Sequence, residues 1–114
     1  MTLITGAHVM IFTRDEDADR AFLRDILEIP CVDAGGGWLI YKLPPAEMGV
    51  HGGEQNDVHH LYLMTESLDA AMAQLALKGV DCSEPFTASW GRATSVPLPG
   101  GGKIGLYQPR HTRP

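Results

Sequence analysis

Apolar residues recur along this chain in one repeated order: a β-rich run, a helical stripe, then short strands between turn residues. Residues 8–12 (HVMIF) and 60–64 (HLYLM) predict strands. After the first, Ala18, Ala21, Phe22 and Ile26 recur at helical spacing, and residues 13–16 offer a capping box. After the second, Leu68, Ala71, Met72 and Leu75 form the stripe, and Lys78-Gly79 supplies a stop. Short strands are then predicted over 30–33, 38–43 and 47–51, divided by Gly35-Gly36-Gly37 and Pro44-Pro45. The matching set lies over 80–82, 92–98 and 103–108, with Gly100-Gly101-Gly102 as a tight turn.

This order is an internal duplication. Sliding the chain by 52 positions pairs residues 8–23 with residues 60–75. The identities are His8/His60, Thr13/Thr65, Asp17/Asp69, Ala18/Ala70, Ala21/Ala73 and Leu23/Leu75. Unrelated segments of ordinary composition would share about one such match. The repeat resumes further on, where residues 48–51 match residues 104–107. We therefore expect an α+β fold of two tandem βαβββ modules in a single domain spanning 1–114. Module one covers about 6–53, module two about 57–109, and a tail follows over 110–114. One such unit cannot bury both its sheet and its helix alone. Two units would form a cupped mixed sheet around a cleft, with helices outside.

Composition narrows the function. The charged share is 20% and the net charge −5, with the nine Lys and Arg residues scattered. Nucleic-acid partners are not expected, since phosphate binding needs a concentrated basic patch. The tail around Arg110 and His111 reads as solvated. No apolar run approaches the roughly 18 residues of a membrane span, and no signal peptide is visible. Cys31 and Cys82 lie far apart without a CxxC pattern, so they read as free thiols of a cytoplasmic protein.

The doubled βαβββ order, a His opening each copy and the closing PGGGKIGLYQP stretch resemble the vicinal-oxygen-chelate superfamily. That group includes glyoxalase I, bleomycin and fosfomycin resistance proteins, and extradiol dioxygenases. The resemblance spans about residues 8–109. It implies a cleft where a divalent metal (Fe, Mn, Ni or Zn) is held by residues of the first and last strands of each module. Carried over, the first-strand ligands are His8 and His60. The last-strand carboxylates fall on Gly49 and Gly105, which have no ligating side chain. Glu47 and His51 flank Gly49 on one strand face. His51 is therefore a candidate third ligand, and Glu47 a candidate ligand or general base.

Two functions follow. One is a metal-dependent lyase, isomerase or dioxygenase acting on a small oxygenated metabolite. The other, favoured by the paired glycines, is a binding protein with a degenerate metal site that holds a small organic ligand in the cleft. Alternation puts Tyr62 and Tyr107 on the faces of His60 and Gly105, and with Trp90 they are candidate stacking residues. Aromatic side chains at such positions are more often core. His59 points away from His60 and reads as structural. The resemblance also implies a homodimer.

Overall fold

The two helices begin at equivalent points of the repeat. In the computed structural model, which describes residues 8–50 and 52–112, helix α1 (Glu16–Ala21) starts at Asp15 and helix α2 (Leu68–Leu77) at Ser67. Each cap side chain accepts from a backbone N–H three residues on: Ala18 at 3.1 Å and Ala70 at 3.3 Å. The expected capping box is thus corrected. Asp15 caps the helix, and the Thr13 hydroxyl accepts from the Asp15 N–H instead.

The helices end differently. Copy two stops at Gly79, in the left-handed region at φ +80°. Copy one reaches its left-handed residue at Glu28, φ +55°. Counted from the matched pair Leu23/Leu75, copy one therefore carries one extra residue. A π-helical turn (Phe22–Ile26) follows α1 and absorbs it.

Two short strands come next, β1 (Cys31–Asp33) and β2 (Leu39–Tyr41), forming an antiparallel hairpin. The second sheet has four strands in the order β3 (Tyr62–Met64), β6 (Lys103–Pro109), β5 (Gly91–Pro97), β4 (Phe86–Ala88). It is mixed: β3 runs parallel to β6, and the other pairs are antiparallel. Copy two thus forms a βαβββ unit, although one strand sits later than expected. Residues 80–82 are not a strand. The chain there runs beside β5, Ser83 donating its N–H to Ser95 at 3.0 Å, and the strand forms at β4.

Copy one departs further from expectation. Residues 8–12 and 47–50 form no strand, and Val9, Met10, Phe12, Met48 and Val50 are exposed. A strand exists only through its pairing, and no sheet edge of the described residues meets these segments.

The core explains where a ligand face remains. On β6, Ile104 and Leu106 point to the helices, as does Val96 on β5. They pack with Leu68 and Leu75 of α2, with Val80 and Leu98, and with Phe22 from the π turn. Burying one such Leu or Phe contributes about 1.5–3 kcal/mol. Both helical segments therefore share one core on one face of the four-stranded sheet. Polar links join the copies there: buried Asp19 accepts the Gly100 N–H at 2.7 Å, and Lys78 Nζ donates to the Ile26 carbonyl at 3.0 Å. The opposite sheet face is left uncovered by either helix.

Candidate ligand-binding site

Strand alternation decides what that open face carries. Tyr62, Gly105, Tyr107, Ala93 and Phe86 are in phase across β3, β6, β5 and β4, because Tyr62 pairs Gly105 and Ala93 pairs both Tyr107 and Phe86. Ala93 is a low point between two rings. Trp90, in the turn joining β4 to β5, lies across it. Its ring centroid is 5.9 Å from Phe86 and 5.7 Å from Tyr107, near-perpendicular to both. Tyr107 meets Tyr62 edge-on at 5.9 Å, and Tyr62 continues to His60 at 6.4 Å. These spacings suit edge-to-face attraction, worth about 0.5–1.5 kcal/mol per pair. The result is a row of four large rings with Tyr62, Phe86 and Trp90 all exposed, although such residues ordinarily seek burial.

Gly105 shapes this row. A β-carbon built there would lie 2.2 Å from Cδ1 of Tyr62, so the ring occupies the space a side chain at 105 would need. Further along the same face, Ser95, Pro97 and Lys103 help line an open depression of about 650 Å3, which Asp81, Cys82 and Ser83 also line. Burial, then the Asp81 charge, pushes the Cys82 thiol above its usual range, which favours the protonated form.

One edge of the wall is polar. His111, read from sequence as part of a solvated tail, lies roughly parallel to Tyr107, with centroids 6.1 Å apart and planes inclined by 27°. Its Nδ1 lies 2.9 Å from the Thr112 carbonyl oxygen and must carry a proton to bond there. Its Nε2 lies 3.2 Å from the Tyr107 hydroxyl and 3.6 Å from Glu47 Oε1. Glu47 is thus brought to the wall from the first copy, with its side chain largely buried.

Of the sequence candidates, Tyr62, Tyr107 and Trp90 are brought together, and Glu47 joins them through His111. His60 stands beside Tyr62, exposed at the entry to β3, and His8 is exposed in the unpaired first segment. His51 lies outside the described residues. Among the described residues, no three His, Cys, Asp or Glu side chains gather as a metal would require. With Tyr62 over Gly105 and no carboxylate at Gly49, the described residues do not present a divalent-metal donor set. Two members of the site were missed from sequence. Phe86 had only a general aromatic signal, and His111 had no local signal, since its role depends on where the tail returns.

Comparison with solved structures places this architecture. An antibiotic-binding protein, TnmS3 from Streptomyces sp. CB03234, superposes with a TM-score of 0.70 at 22% identity, covering 96% of this chain and 99% of that one. A Glyoxalase/bleomycin resistance protein/dioxygenase superfamily member from Sphaerobacter thermophilus gives 0.67 at 22%, covering 94% and 99%. The fold is that of the vicinal-oxygen-chelate superfamily. A lactoylglutathione lyase from Agrobacterium tumefaciens shares the vicinal-oxygen-chelate fold at TM-score 0.64 and 12% identity, covering 94% and 96%. No family model matches the sequence, and no curated protein matches it. The same fold thus serves an antibiotic-binding protein and an enzyme, and it does not choose between them.

Proposed function

We propose that this protein binds a planar small organic molecule by stacking on the row Phe86, Trp90, Tyr107 and Tyr62, with no bond broken. The observation that carries this reading is the filling of the Gly105 position by the Tyr62 ring. Where the superfamily resemblance puts a metal-ligating carboxylate, this chain has an aromatic surface. The open depression beside Lys103 would take the rest of the ligand. Likeness to an antibiotic-binding protein supports the reading at the level of fold. The test is a thermal-shift screen of planar aromatic compounds, antibiotics among them, followed by titration through Trp90 fluorescence. A hit that Trp90→Ala weakens tenfold or more is the expected result. A screen without hits, or a hit indifferent to Trp90, rejects the wall.

We further read the site as lying in a cleft between the two copies, in a cytoplasmic homodimer. Its support is the apolar surface of the first copy: Phe12, Met48 and Val50 are each more than 90% exposed. Light scattering behind size exclusion tests the dimer, and a monomeric mass at micromolar concentration rejects it. The enzyme reading would rest on His8, His60 and His51 as ligands of a divalent ion, with Glu47 as base. Metal analysis of protein purified without chelators, beside a His8→Ala, His60→Ala variant, tests it.

A further inference from the structure

The open sheet face is not only aromatic. Lys103 lies two residues before Gly105 on β6, about 7 Å of strand, and alternation puts it on the same face as Gly105 and Tyr107. Its register partner on β5 is Pro97, and Ser95, the partner of Gly105, is its diagonal neighbour. Such neighbours lie about 7–8 Å apart, within reach of a lysine stem. Lys103, Ser95 and Pro97 line one depression beside the Tyr62 ring, which fills the space over Gly105. Two donors here have no acceptor of their own. The cations at the end of α2 and on β5 are paired, Lys78 with Glu28 and Arg92 with Asp69. Among the described residues, Lys103 forms no ion pair and the Ser95 hydroxyl makes no hydrogen bond. Past the other end of β6 the charge is opposite, with Glu47 Oε1 3.6 Å from His111.

We propose that the ligand is an acid: a planar aromatic whose carboxylate is held by Lys103 and Ser95 while its rings lie on the wall. This rests on the stacking wall as the binding surface. A carboxylate only accepts hydrogen bonds, and both groups donate, the ammonium through a charge-assisted bond. Turned end for end, the same ligand would bring its acid toward Glu47, and like charges repel. The chain as a whole carries −5 and opposes an anion at long range. A preference for the acid over a neutral molecule of the same shape therefore reports the local donors. Asp81 also lines the depression, but it comes from the segment ahead of β4 and not from the sheet face. A ligand ammonium drawn to Asp81 is the rival outcome.

The test titrates three probes of one shape into the full chain at pH 7.5, followed by probe fluorescence anisotropy. They are anthracene-2-carboxylate, 2-(hydroxymethyl)anthracene and 2-(aminomethyl)anthracene: an anion, a neutral molecule and a cation. Wild type is expected to bind the acid about threefold to tenfold more tightly than the alcohol, the size of a part-exposed ion pair with a charge-assisted hydrogen bond. That ratio falls toward one in about 0.5 M NaCl. Lys103→Met abolishes the ratio, Lys103→Glu reverses it, and Ser95→Ala reduces it. Equal binding of acid and alcohol by wild type, tighter binding of the amine, or a ratio that survives Lys103→Met overturns the acid assignment and leaves the wall standing. Binding of neither acid nor alcohol, or binding by Trp90→Ala as tight as by wild type, overturns the wall and the acid assignment with it.

Discussion

Replacing Gly105 by alanine sets a β-carbon 2.2 Å from Cδ1, 2.5 Å from Cε1 and 2.8 Å from Cγ of Tyr62. The obstacle is a side chain with its outer part in solvent, so it can swing away, but it then loses what it packs on. Tyr62 is 44% exposed, so rather more than half of its surface is buried. For a large aromatic that is on the order of 100 Å2, or about 2.5 kcal/mol at 25 cal/mol per Å2. The edge contact with Tyr107 adds about 0.5–1.5 kcal/mol. Against this, alanine in a strand is about 0.5–1 kcal/mol better than glycine. Gly105→Ala should therefore destabilise by about 2–3.5 kcal/mol, read as a lower urea midpoint by circular dichroism. The decisive comparison is a double-mutant cycle. In a Tyr62→Ala background the space is empty, and Gly105→Ala should be neutral or mildly stabilising. Equal costs in both backgrounds would show that the ring does not rest on Gly105, and the account of how this wall replaces a carboxylate would fail.

Asp19→Ala should cost about 1–3 kcal/mol, because it leaves the Gly100 N–H without its acceptor at the contact between the copies, whereas Asp19→Asn keeps an acceptor and should cost less. Equal urea midpoints for the two variants would contradict this. Glu28→Gly should stabilise by about 1 kcal/mol by relieving the left-handed backbone at φ +55°, since the ion pair it gives up with Lys78 is exposed and worth only tenths. An unchanged or lower midpoint would count against strain there. Cys82, its thiol raised first by burial, should react with iodoacetamide at pH 8 more slowly than glutathione, with peptide mass spectrometry separating it from Cys31. Because the fold favours the neutral thiol, stability is kept below the usual thiol range and declines as pH rises through the raised value. Labelling at the rate of a free thiol would refute the burial.

Much of the local structure was legible in the chain itself. The stripe of period 3.6 was present in each copy, whereas the caps were not read correctly: the first was placed two residues early, at Thr13 instead of Asp15, and Ser67 was not singled out. Strands β5 and β6 were readable from alternation around Gly100-Gly101-Gly102. The shared face of Tyr62 and Tyr107 followed from period two. The duplication predicted a βαβββ pattern in each copy, and copy two forms it.

What the tertiary structure alone decided involves partners distant in sequence. Residues 8–12 and 60–64 carry similar strand signals, yet only the second reaches a pairing edge, because pairing depends on where the rest of the chain goes. The π turn after α1 reflects one extra residue that must be accommodated while Phe22 still reaches the shared core. A glycine in the sequence says only that a side chain is missing, and the fold decides what fills the gap; here that is Tyr62. His111 belongs to the site only because β6 ends beside the wall and the tail brings its imidazole to the Tyr107 hydroxyl. Local propensity has no means of encoding that contact.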